Sequence, residues 1–137
     1  MEKKFARSFD EIKEIVAFAD RVFADEDIDP SLRYMVDLAI EELFVNMVTY
    51  NTESKQNILL EVHALDNGIE VSLTDFDVER FDPTKEPDVD VDAPLEERTV
   101  GGLGLYLVLK MVDSIHYEYN DRKSKITFKI KVDETDA

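Results

Sequence analysis

Glu42 and Asn46 stand four residues apart in the stretch DLAIEELFVNMVTYN. On a helix that spacing puts a carboxylate and a carboxamide on one face, a turn apart. Ala39, Leu43 and Met47 flank the pair, and polar groups bordering an apolar stripe cost free energy unless something satisfies them. Water at the helix boundary is one way to satisfy them. The other is a hard cation such as Mg²⁺, which takes oxygen ligands and keeps several waters. With a cation present, the carboxylate could also orient or deprotonate a nucleophile. Glu41 is turned about 100° away, towards solvent. In VSLTDFDVERFDP, Asp75 shares the parity of Val71 and Leu73, so it points inward at the end of a strand. An inward carboxylate wants a donor, either a purine amino group or a neighbouring backbone N–H. Three of the chain's 4 glycines, Gly101, Gly102 and Gly104, fall together just before an apolar run. Glycines let backbone N–H groups approach an anion, and a helix N-terminus adds partial positive charge, so the cluster suits a phosphate. A hinge for the loop before it is the alternative.

Other chemistries drop out. With no cysteine in the chain, a disulfide scaffold, a thiol nucleophile and a thiolate metal site are excluded. His63 and His116 lie far apart in two expected strands, which disfavours a histidine metal site. The acidic run DVDVD, beginning at Asp88, has the alternation of a calcium loop. Its sixth and twelfth positions are Ala93 and Thr99, where such a loop needs Gly and Glu. A formal net charge of −16 argues against binding nucleic acid directly or an anionic membrane surface. No apolar run is long enough to span a bilayer, and the first residues are charged. A cytoplasmic location is the expectation.

These residues must be held by a recognisable order of elements. A short edge strand is expected over residues 3–9. A helix follows, with Ile12, Ile15, Val16, Phe18, Ala19, Val22 and Phe23 at helical spacing and Ser8 or Asp10 as its cap. A second helix spans residues 31–50, with Pro30 at its start and Asp29 as a possible cap. Its stripe reads Leu32, Met35, Leu38, Ala39, Leu43, Met47 and Val48. Strands at 57–65 and 69–76 flank Asp66-Asn67-Gly68, a hairpin signal resting on residues that tolerate positive φ. Residues 82–98 carry three prolines and many acids, the composition of a loop. A helix over 103–113 leads to strands at 114–120 and 125–132. This order makes one domain over residues 1–137, of α+β class: a two-layer α/β sandwich whose mixed, mostly antiparallel sheet carries its helices on one face.

Taken together, the three stretches resemble the Bergerat-fold ATP-binding domain shared by DNA gyrase, histidine kinases and MutL, and within it the small anti-sigma factor serine/threonine kinases. AIEELFVNMVTYN resembles the N box, SLTDFDVERFDP the first glycine box, and GGLGLYLVLKMVDSIHYEYND the second glycine box and the strand after it. The resemblance implies ATP and Mg²⁺ as ligands. It implies Asn46 as the Mg²⁺ ligand, Glu42 as general base toward a substrate serine, and Asp75 as acceptor from the adenine amino group. Residues 83–100 would form a lid, Gly101, Gly102, Leu103, Gly104 and Leu105 would wrap the phosphates, and Thr127 would stand near the adenine. The implied partners are an anti-anti-sigma protein of the STAS type, phosphorylated on serine, and a sigma factor or similar regulator that is sequestered; a homodimer is also implied. The pattern departs from the family where Asp77 replaces the first glycine of the first glycine box and Glu79 its second Gly or Pro. That departure motivates the alternative, a catalytically degenerate switch with weak or no ATP binding.

Overall fold

The computed structural model describes residues 1–80 and 102–132. Strand β1 (Glu2–Phe5) is followed by helices α1 (Ile12–Asp25) and α2 (Arg33–Tyr50), strands β2 (Ile58–Leu65) and β3 (Gly68–Phe76), helix α3 (Gly102–Met111), and strands β4 (Ser114–Asn120) and β5 (Lys123–Lys131). The order of elements is the one anticipated. The five strands form one sheet in the order β1-β2-β3-β5-β4, and every pairing among them is antiparallel, so among the described residues the sheet is antiparallel throughout and not mixed.

β1 is shorter than its sequence suggests. The Ser8 N–H turns back to the Ala6 carbonyl, and Ser8 Oγ accepts from the Asp10 N–H at 3.2 Å, so the residues after Phe5 build a helix cap instead of a ladder. Asp29 caps the approach to α2 likewise, accepting from Ser31 N–H at 2.9 Å, with Pro30 in the first turn.

The core lies between the sheet and the helices. Phe5, Phe18, Ile40, Phe44, Leu73 and Phe128 are among its largest buried side chains, each contributing roughly 1.5–3 kcal/mol through burial. The Phe5 and Phe18 rings meet edge-on at 6.1 Å, joining β1 to α1. The buried face of α2 is Val36, Ala39, Ile40, Leu43, Phe44 and Met47. Met35, Leu38 and Val48, expected on that stripe, are only partly buried against it. α2 is apolar on nearly every side because it packs on β3, α1 and α3 together, so periodicity alone did not locate its innermost line. Arg33 ties the two long helices: its Nε donates to Asp37 at 2.9 Å, it pairs with Asp20, and its NH2 group donates to the Val16 carbonyl at 3.0 Å.

Both hairpins occur, the first for a reason other than the one anticipated. Leu65 pairs with Gly68, leaving Asp66-Asn67 as a two-residue turn, and Asn67 is not among the positive-φ residues. Gly68 is required by proximity instead: a Cβ there would strike the Ile130 carbonyl oxygen and lie 2.8 Å from the Lys131 Cα. The β4–β5 turn is the left-handed one, with Asp121 at φ 51° and Arg122 at φ 60°, both central residues positive as the tightest hairpins require.

Candidate functional site

α2 carries Glu42 and Asn46 on one face, both half-buried, and brings Glu42 against the start of α3. A Cβ built at Gly104 would land on the Glu42 carboxylate, so glycine at this position lets the first turn of α3 close directly onto that acid. That turn carries the unpaired amides and partial positive charge of a helix N-terminus. Burial pushes the Glu42 carboxyl above its ordinary value, and the neighbouring Glu41 charge adds to the rise. A carboxyl held this way accepts a proton more readily than a free one, which suits a general base.

Gly102 and Leu103 open α3. The Leu105 side chain is buried in the core, which leaves only its backbone for a phosphate. Gly101 and the expected lid, residues 83–100, lie outside the described residues. What the described residues offer to a phosphate is therefore a helix of 10 residues whose first turn closes directly on Glu42. Among the described residues no cluster of three or more His, Cys, Asp or Glu is placed to hold a metal. A carboxamide oxygen such as that of Asn46 is of the hard type that Mg²⁺ accepts, and Mg²⁺ ordinarily draws its remaining oxygens from phosphates and water.

The surroundings of Asp75 are closed. Asp75 points inward, as its parity requires, and is 0% exposed. Asn51 Nδ2 donates to Asp75 Oδ2 at 2.6 Å, and the Arg7 guanidinium pairs with Oδ1. Arg7 also donates to the Met47 carbonyl at 3.3 Å. Neither Arg7 nor Asn51 stood out in the sequence. Arg7 shares the inward parity of Phe5, in an acidic chain where a cation on a core face needs a partner, and that was its one available signal. Asn51 closes α2 as its C-cap, a position that reads as a plain helix end.

Thr127 does not stand beside Asp75. It pairs with Ser72 in register, their hydroxyl oxygens 3.0 Å apart, on the sheet face opposite the helices. Asp75 pairs instead with Ser124, which is 3% exposed. Because strand residues alternate faces, Thr127, three residues along from Ser124, lies on the wrong side.

The departures at Asp77 and Glu79 resolve differently. Asp77 adopts φ 58°, the left-handed conformation in which glycine is unstrained. Its side chain is exposed and accepts from Arg122 Nε at 3.0 Å. Glu79 is exposed too, and its backbone N–H donates to Glu53 Oε1 at 2.9 Å. Neither carboxylate is turned into the sheet beside Asp75. An open cleft of about 510 Å³ lies outside them, lined by Phe76, Asp77 and the β4–β5 turn; it includes none of Glu42, Asn46 or Asp75.

Comparison with known proteins decides the family. The profile of the histidine kinase-like ATPase domain matches residues 5–130. The chain belongs to the histidine kinase-like ATPase family. ATP is the ligand that this membership implies. A search of curated protein sequences returns no match. Among solved structures, the SiaB–SiaC complex from Pseudomonas aeruginosa contains a similar fold, with TM-score 0.66 and 19% identity over 95% of this chain and 88% of that one. The RsbU and RsbW domains of Rv1364c from Mycobacterium tuberculosis give a TM-score of 0.63 at 15% identity over 96% of this chain; the match spans about a third, 32%, of that chain. The Acinetobacter baumannii histidine kinase AdeS gives 0.51 at 16% identity, covering 98% of this chain and 68% of that one. At these identities the likeness establishes the ATPase fold. No helix of the described residues is long and apolar enough to cross a membrane.

Proposed function

We propose that this histidine kinase-like ATPase domain is a regulatory serine kinase. It would transfer the γ-phosphoryl group of Mg·ATP to a serine of a small STAS-type anti-anti-sigma protein, and sequester a sigma factor or similar regulator. The observation that carries the proposal is Glu42 standing against Gly104 at the first turn of α3. One contact brings together a carboxylate with raised proton affinity and an anion-binding helix terminus.

The roles follow from chemistry. Amides of the first turn of α3 face the phosphates, and Asn46 offers its oxygen to Mg²⁺. That ion, when bound, neutralises charge as it develops on the transferring group. Glu42 takes the proton of the serine hydroxyl as the new O–P bond forms; the bond from the γ-phosphorus to its bridging oxygen breaks, and ADP departs with that electron pair. Asp75 would accept from the adenine amino group. Phosphoryl transfer asks mainly for positioning and electrostatic stabilisation, and two helices packed face to face supply both. The SiaB–SiaC complex is a two-protein assembly containing a similar fold, which supports a protein as the phosphoryl acceptor. A homodimer and a cytoplasmic location belong to the same proposal.

The test is incubation with Mg·ATP and the STAS-type protein encoded nearby, followed by mass spectrometry of that protein. One phosphoserine that requires Mg²⁺ is the expected outcome. Unmodified acceptor, in the presence of demonstrable ATP binding, would refute the kinase.

A further inference from the structure

The Asp75 carboxylate has both oxygens engaged by the chain itself, Oδ2 by Asn51 and Oδ1 by Arg7, and it has no exposed surface. A carboxylate this enclosed has no free approach for a base. The two partners differ in origin. Asn51 ends α2, a helix anchored by the core. Arg7 lies on the segment between β1 and α1, and β1 is a four-residue strand at the edge of the sheet, paired only with β2. Short edge elements are the cheapest part of a fold to displace. The pair is also under-satisfied: it is an ion contact without hydrogen-bond geometry, and Arg7 Nε, Arg7 NH2 and Asp75 Oδ1 are all buried with no hydrogen-bond partner among the described residues. Burial has moreover lowered the proton affinity of the guanidinium from its ordinary value, with Glu53 acting in the opposite sense. A buried ion pair of this kind is a weak source of stability and a strong source of conformational commitment.

Chemically, a guanidinium edge and the exocyclic amino group of a purine are the same sort of donor, planar N–H groups directed at a carboxylate. We propose that Arg7 is an internal competitor for the base-recognition carboxylate. Nucleotide enters the base end only when the Arg7–Asp75 pair opens, and the segment carrying Arg7 sets the nucleotide affinity. The apparent dissociation constant is then the intrinsic one divided by the fraction of molecules with the pair open. Whatever displaces β1 or its following turn tightens nucleotide binding, and nucleotide binding loosens that segment in return. This proposal rests on Asp75 being the base acceptor, as described under Proposed function.

The experiment is calorimetric titration of the full chain with Mg·ADP, in the wild type, Arg7→Met, Arg7→Lys and Asp75→Asn. Methionine removes the competing donor; lysine keeps the charge that Asp75 needs but loses the planar fork, which guards against a variant that fails to fold. Both Arg7 variants are expected to bind more tightly, by about tenfold or more, and Asp75→Asn more weakly. In parallel, the Arg7 Nε–H resonance of the wild type, protected in the free protein, is expected to exchange with solvent at least about tenfold faster once Mg·ADP saturates it. Folded Arg7 variants that bind equally or less tightly, or an Nε–H equally protected with nucleotide bound, would overturn the competitor while leaving the base acceptor intact. Wild-type binding that Asp75→Asn does not weaken would instead remove the base acceptor, and the competitor with it.

Discussion

Gly104 is held to glycine by the Glu42 carboxylate, which occupies the place a Cβ would take. The obstacle is the far end of a flexible side chain, so Gly104→Ala folds by pushing Glu42 aside. Alanine also favours a helix over glycine by roughly 0.5–1 kcal/mol. The variant is therefore expected to melt at the same temperature as wild type or slightly higher, while phosphoryl transfer falls about tenfold or more because the base is misplaced. Melting curves and rates measured on one preparation separate the two effects. Glu42 itself is a strained charge. Its carboxyl titrates above the ordinary 4.5 because burial disfavours the anion. A folded-state value raised above the unfolded one means that the folded state holds the proton longer. Stability is then fullest below 4.5 and declines as pH rises through the raised value. Glu42→Gln should thus raise the melting temperature near neutral pH and make no difference below 4.5; a variant less stable than wild type at neutral pH would contradict this. At this scale the sequence was informative where one residue's type sufficed. Asp75 points inward on strand parity, and Glu42 and Asn46 share a face on helical spacing. It was silent on Arg7 and Asn51, because their partner is fixed by the packing of three separate elements. It misplaced Thr127, because a shift of one residue along a strand changes faces.

Among elements, α2 organises the site, since it packs on α1, α3 and β3. Its existence and extent were legible from Pro30, the Asp29 cap and an apolar run of the right length. Its innermost line was not, because a helix surrounded on several sides has apolar residues all round and weak periodicity. Two substitutions distinguish the observed line from the expected stripe. Ile40 is fully buried, so Ile40→Ala should cost about 2–5 kcal/mol, whereas Leu38→Ala, at a partly buried position, should cost clearly less. Denaturant unfolding reads both, and equal losses would contradict the packing described. The hairpins show the same division between what composition marks and what tertiary contact decides. Asp66-Asn67-Gly68 marked its turn by composition, yet Gly68 answers to the β5 backbone beside it. The β4–β5 turn takes its left-handed residues from Asp121 and Arg122. Arg122 is held there partly by Asp77, a contact between residues 45 apart in sequence.

For the molecule as a whole, a net charge of −16 is compatible with the proposed anion-binding role, because backbone amides would serve in place of lysines. Several of the 16 Lys and Arg residues are paired locally: Lys125 faces Glu61 and Lys129 faces Glu70 across the open side of the sheet, while Arg33 and Arg7 tie helices and strands together. Such a charge disfavours nucleic acid and would complement basic groups on the proposed protein partner. In the proposed mechanism Glu42 acts as a base beside a helix terminus that would hold the ATP phosphates. Single-turnover transfer of labelled phosphate from Mg·ATP to the STAS-type acceptor, in wild type and Glu42→Gln, tests it most directly. The predicted result is a rate at least about 10²-fold lower in the variant, with nucleotide affinity retained. Equal rates in the two proteins would contradict it.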